Sequence, residues 1–215
     1  MKKYNKYSKI RSKRIEFFSF YTFHKVTYKF ILELEGKAVF KYSIGTLISK
    51  EKISEKVKEL ALQIDNDYKE EKILLVGLLR GSVIFLSDLV RELKTEATLD
   101  FMVVSSYGNE LHSSRDVKIK KDLEEDISGR NVIIVEDIID TGHTLKKVLE
   151  MLKIRNPKSI KICTLLDKPE KREVEIEVDY TGFKIPDEFV VGYGIDFAQK
   201  HRDLSYIGIV KKEEE

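Results

Sequence analysis

Two hydrophobic rhythms alternate along this chain. Ile53, Val57, Leu60, Ala61 and Ile64 recur at three- and four-residue spacing with charge between them, which predicts an amphipathic helix over residues 50–69. Residues 73–79 are an unbroken apolar run, the pattern of a strand buried on both faces. That run ends at Arg80-Gly81-Ser82, and a helical pattern follows over 83–93. Apolar runs at 99–105, 132–135, 159–166 and 189–193 predict further strands, with a helix over 145–155. Residues 106–121 are polar, with Gly108, Asn109, Ser113 and Ser114, and show no core-facing pattern until Val117. A connection that long is often a lid. The succession strand, helix, strand, strand, helix, strand predicts an α/β domain with a mainly parallel sheet flanked by helices. Ligands of such sheets collect at the carboxyl ends of the strands.

One of those strand ends is chemically unusual. The apolar run beginning at Val132 carries Glu136, Asp137 and Asp140, then breaks into Thr141-Gly142-His143-Thr144 ahead of the helix. A buried carboxylate is costly unless it is paired or meets a cation. A turn that opens a helix directs free backbone N–H groups outward, and anions bind there. Acids above a strand end beside an anion cradle point to a ligand with hydroxyls, or a metal, together with a phosphate. A sugar phosphate fits.

Charge divides the chain. Residues 1–41 hold 11 Lys/Arg against 3 Asp/Glu, and the remainder holds 28 against 34. The pattern reads as a basic, aromatic extension over 1–41, disordered or a non-native start, followed by a mildly acidic domain over 42–215. Phe17, Phe18, Phe20, Tyr21 and Phe23 interleave with basic residues, as in some RNA contacts. The acidic remainder argues against nucleic acid as a partner. The single cysteine, Cys163, lies in an apolar run and reads as core filler, which fits a reducing, cytoplasmic setting. No apolar run reaches the roughly 18 residues of a membrane span.

The acidic strand end resembles the 5-phosphoribosyl-1-pyrophosphate loop of type I phosphoribosyltransferases. Leu78-Leu79-Arg80-Gly81, Val104-Ser105-Ser106-Tyr107-Gly108, Leu165-Leu166-Asp167-Lys168-Pro169 and Val190-Val191-Gly192-Tyr193-Gly194-Ile195-Asp196 narrow that resemblance to the bacterial hypoxanthine-guanine branch. It spans about residues 44–211. The resemblance implies a twisted parallel sheet with a small hood and a flexible lid loop. It also implies a Mg²⁺-dependent reaction in which a 6-oxopurine displaces pyrophosphate from the ribose, in a homo-oligomer, dimer or tetramer.

Site roles follow by the same resemblance. Asp140 is the candidate general base near purine N7; without the motif it would read as a helix cap. Glu136 and Asp137 take the ribose hydroxyls and touch the metal through water, while Asp196 is the direct metal ligand. Thr141, Gly142 and Thr144 hold the 5-phosphate. Lys168 donates to the purine 6-oxygen, Phe189 stacks on the ring, and Val190 meets its edge through the backbone. Arg80, Gly81, Ser106, Tyr107 and Arg202 serve the pyrophosphate. Arg80 stands where the family usually has lysine, and the bond before it is often cis in the family. His143 reads as an exposed loop residue. A xanthine-preferring relative and a nucleic-acid-binding regulator that senses the sugar pyrophosphate are the rival readings. The intact set Asp140, Lys168 and Asp196 favours the enzyme.

Overall fold

The computed structural model describes residues 18–22, 25–34, 37–106 and 117–212, with side chains described over 42–105 and 118–212. They fall into two compact units, one of Ser54–Asp187 and one of Met1–Ile53 with Glu188–Glu215.

The larger unit holds a six-stranded sheet. Its strands are β4 (Ile73–Leu79), β5 (Ala97–Ser106), β6 (Val117–Lys121), β7 (Asn131–Ile139), β8 (Ser159–Asp167) and β9 (Tyr180–Lys184), in the order β6-β5-β4-β7-β8-β9. Every pairing is parallel except that of β6 with β5. The expected mainly parallel sheet is therefore present. Three helices accompany it: α1 (Lys50–Asp67), which begins in the smaller unit's span, α2 (Val83–Glu92) and α3 (His143–Lys153). Helix α2 packs on β4 and β7, and α3 on β5 and β6. Alternate residues of each central strand feed opposite faces. On one face Leu74, Val76, Leu78, Val132, Ile134 and Ile162 pack with Leu145, Val148 and Leu152 of α3. Cys163 in β8 is fully buried, as core filler should be.

Several boundaries differ from the sequence reading. Strand β7 runs four residues past the apolar run, so Glu136 and Asp137 lie within it rather than in a loop. The segment read as wholly loop over 106–121 ends in β6. Val-Lys-Ile-Lys-Lys alternates as a strand does, and lysine suits an exposed edge. Residues 107–116, which carry most of the expected lid, lie outside the described residues.

The smaller unit is an antiparallel sheet ordered β1-β2-β3-β11-β10, from β1 (Phe18–Thr22), β2 (Lys25–Leu34), β3 (Lys37–Ile48), β10 (Val190–Val191) and β11 (Ile207–Lys212). The charge boundary between residues 41 and 42 falls inside β3, which pairs with β2 on one side and β11 on the other. The strand expected over 189–193 shrinks to two residues and belongs to this sheet. It stops where Gly192, Tyr193 and Gly194 all take positive φ. Tyr42, Ile44, Val191 and Phe197 form this unit's core. No helix among the described residues is long and apolar enough to cross a membrane.

Candidate functional site

In the larger unit the carboxyl ends of β4, β7 and β8 lie side by side, and each continues into a predicted site segment. After β4 the Leu79–Arg80 bond is cis, as the resemblance implied. Ser82 is buried and its hydroxyl donates to the Leu78 carbonyl at 2.7 Å, which closes the turn into α2. Gly81 has no room for a side chain, because a Cβ there would overlap the Asp137 carboxylate. Two predicted residues from neighbouring strand ends, Gly81 and Asp137, are thus in contact.

Glu136 is the acid with the least support. Its Oε2 is enclosed and has no hydrogen-bond partner. Burial, reinforced by the adjacent Asp137 charge, pushes its carboxyl well above the usual carboxylate range. Mg²⁺ takes one or two carboxylates and fills its remaining positions with water and substrate oxygens. The Glu136–Asp137 pair fits an ion carried in that way. Among the described residues no cluster of three or more His, Cys, Asp or Glu forms a complete protein cage for a metal.

The turn after β7 is shaped by its neighbours. Gly142 precedes α3 with φ at 88°, and a Cβ there would meet Ile176, Arg172 and Val174 within 2.9–3.0 Å. Glycine is required twice over, by its backbone conformation and by the packing. The Glu173 N–H donates to the Thr141 carbonyl at 3.0 Å, and Arg172 Nε donates to the Asp140 carbonyl at 3.3 Å. Arg172 also pairs with Asp167. Thr141 and Thr144 are half-buried beside this turn. His143 is not a plain exposed loop residue: it opens α3 and its Nε2 lies 2.9 Å from Glu173 Oε2.

Lys168 follows β8, and its N–H donates to the Ile139 carbonyl at 3.0 Å, which ties the end of β8 to the end of β7. Its side chain is buried. The ammonium lies 4.0 Å from Asp140 Oδ1, an enclosed oxygen with no hydrogen-bond partner. The predicted purine donor and the predicted base are therefore neighbours. Two further residues join them: Lys171, 2.8 Å from Asp140 Oδ2, and Asp187, 3.4 Å from Lys168. Neither carries a signal in the sequence, since charged residues in turns are ordinarily solvated.

Arg202, Asp196, Phe189 and Val190 belong to the smaller unit. Arg202 pairs with Asp196 at 2.6 Å and donates to the Gly194 carbonyl at 2.7 Å. The other Asp196 oxygen accepts the Gln199 N–H at 2.7 Å. The candidate metal ligand and the candidate pyrophosphate cation thus engage each other. Phe189 is exposed and meets Phe197 edge-on, with ring centroids 5.2 Å apart. Val190 is buried and pairs with Ile209. The loop bearing Asp196 and Arg202 is fixed at one end by Tyr42, whose hydroxyl lies 2.9 Å from His201 Nε2. Ser106 ends β5, and Tyr107 lies outside the described residues.

Acids and a helix-opening turn at adjacent parallel strand ends define an α/β domain built to hold a phosphorylated sugar. Residues 43–198 match the phosphoribosyl transferase domain, and the chain belongs to that family. Within it, the chain is 58% identical over 172 residues to a hypoxanthine phosphoribosyltransferase of Buchnera aphidicola, a match covering 79% of this chain and 97% of that protein. It is 55% identical to the Escherichia coli hypoxanthine phosphoribosyltransferase, with the same coverage. A crystal structure of a hypoxanthine-guanine phosphoribosyltransferase from Bacillus anthracis superposes with a TM-score of 0.73 at 49% identity, covering 77% of this chain and 96% of that one.

Proposed function

We propose that this protein is a purine-salvage enzyme. It transfers the 5-phosphoribosyl group from 5-phosphoribosyl-1-pyrophosphate to hypoxanthine or guanine. The bond from ribose C1 to the pyrophosphate oxygen breaks, with its electron pair leaving on pyrophosphate. A bond from C1 to purine N9 forms, the purine loses a proton, and IMP or GMP results. The observation that carries this reading is the buried Lys168 ammonium 4.0 Å from Asp140 Oδ1, at a strand end adjoining the Thr141–Thr144 turn. One group donates and the other accepts, which suits the 6-oxygen and N7 of an oxopurine.

In this reading Asp140 receives or shares the proton at N7, and Lys168 selects a 6-oxygen over the amino group of adenine. Glu136 and Asp137 hold the ribose hydroxyls. Thr141, Gly142 and Thr144 hold the 5-phosphate at the start of α3. Mg²⁺ would supply charge neutralisation for the leaving pyrophosphate, and Asp196, Glu136 and Asp137 are the residues that would hold it. Arg80, Gly81, Ser106, Tyr107 and Arg202 take the pyrophosphate, and Phe189 and Val190 the purine. The enzyme works as a homo-oligomer in a reducing cytoplasm, where the buried Cys163 stays a thiol.

A competition assay tests the reading. Protein, Mg²⁺ and the sugar pyrophosphate are given hypoxanthine, guanine, xanthine and adenine together, and the nucleotides are separated. IMP and GMP should dominate, with adenine untouched. Dominant xanthine product would move the assignment to the xanthine-preferring relative, and no product at all would remove the enzymatic reading.

A further inference from the structure

Four charged side chains of the larger unit form a closed ring. Lys168 Nζ lies 3.4 Å from Asp187 Oδ1 and 4.0 Å from Asp140 Oδ1. Lys171 Nζ lies 2.8 Å from Asp140 Oδ2 and 3.2 Å from Asp187 Oδ1. The charges alternate around the ring, two cations against two anions. Lys168 is 5% exposed, so its charge depends on these carboxylates rather than on water. The nearer of its two carboxylates is Asp187.

We infer that Asp187 is a positioning residue for purine recognition: as the shared counter-ion of Lys168 and Lys171, it keeps the Lys168 ammonium off Asp140. Lys168 then remains a donor for the purine 6-oxygen, and Asp140 Oδ1 remains an acceptor for the purine nitrogen. The inference rests on the roles of Asp140 and Lys168 proposed above. Its physical core is a count of charges. Without the Asp187 carboxylate the ring holds two cations and one anion. Lys168 would close the 4.0 Å gap onto Asp140 Oδ1, which has no other hydrogen-bond partner. Donor and acceptor would satisfy each other and neither would meet the base. Burial works to raise the Asp187 carboxyl, but the bonds from Lys171 and Lys168 outweigh it and hold it below its ordinary value. Lys171 is raised on balance: burial opposes its charge, and its bonds to Asp140 and Asp187 prevail.

Steady-state kinetics of the full-length protein with Mg²⁺, the sugar pyrophosphate and hypoxanthine test this. Asp187→Asn should raise KM for hypoxanthine about tenfold or more, the loss of one charge-assisted hydrogen bond, while KM for the sugar pyrophosphate stays within about twofold. Asp187→Glu keeps the charge and should recover most of that loss, to within about threefold of wild type. Melting curves of all three proteins accompany the kinetics. A hypoxanthine KM unchanged in Asp187→Asn overturns the proposal. So does an Asp187→Glu variant as impaired as Asp187→Asn, or a parallel rise of both KM values with a lowered melting point, because either outcome makes Asp187 a structural residue. Wild-type protein that forms no nucleotide overturns the functional reading, and this inference with it, before any variant is compared.

Discussion

Near the start of β5, Asp100 is buried and accepts three backbone N–H bonds, from Phe101 at 2.6 Å, Glu124 at 2.7 Å and Glu125 at 2.9 Å. Lys121 lies 3.7 Å away. Near the end of β7, two strands across in the same sheet, Glu136 has an enclosed oxygen with no partner and another carboxylate beside it. Burial opposes the charge of both acids. For Asp100 the backbone bonds outweigh it and the carboxyl is lowered, whereas for Glu136 the Asp137 charge adds to it and the carboxyl is raised. A carboxylate whose acceptors are filled by the chain's own donors is part of the scaffold and pins the turn after β6. A buried oxygen that no donor of the chain reaches keeps its acceptor capacity for a ligand. Three such side-chain oxygens occur among the described residues, and two of them, on Glu136 and Asp140, stand at the strand end where the site was expected.

The largest effect is expected at Asp140. Asp140→Asn should lower kcat by about a hundredfold or more, the usual scale of a lost general base, and leave KM for the sugar pyrophosphate within about threefold. Equal losses in both would place Asp140 among the binding groups. Asp100→Ala should act in the opposite sense. It removes the acceptor of three part-buried N–H groups and should cost about 2–4 kcal/mol of stability in denaturant titrations, with kcat of the folded protein nearly unchanged. A cost under about 1 kcal/mol would mean that water replaces the carboxylate easily, and the contrast with Glu136 would lose its scaffold half.

Residue patterns show why the sequence revealed some of this and not the rest. The central strands β4, β7 and β8 are covered on both faces, so their apolar runs are continuous and legible. Strands at the margins were harder to see. β6 carries three lysines, and β9 includes Gly182, which lies so close to the Leu165 backbone that a side chain has no space. In the candidate site, the proximity of Asp140 and Lys168 was legible because each follows a strand in a recognisable motif. Asp187 and Lys171 were not. They join Asp140 and Lys168 in a ring closed only in three dimensions, by the turns after β7, β8 and β9. Asp100 was missed for a related reason: one acid in an apolar strand does not disclose whether donors await it.

Glu136→Gln gives the smallest effect and the most direct reading of the difference. The raised carboxyl of Glu136 means that the folded protein keeps a proton there after the unfolded chain has lost its own. Unfolding then releases a proton, so stability falls as pH rises above the ordinary glutamate value of about 4.3. For Asp100, with its lowered carboxyl, stability is instead present above the ordinary value and lost as pH falls. Replacing Glu136 by neutral glutamine should therefore raise the melting point at pH 7.5 by roughly 2–4 °C, which corresponds to about 1 kcal/mol for a chain of this size. At about pH 3 the two melting points should converge, because the glutamate is then protonated in both states. Mg²⁺ with the sugar pyrophosphate should stabilise the wild type more than the variant, since only the wild type supplies the carboxylate. A Glu136→Gln protein less stable than wild type at every pH would mean that Glu136 is held by the chain's own donors, as Asp100 is, and the contrast between the two acids would have to be given up.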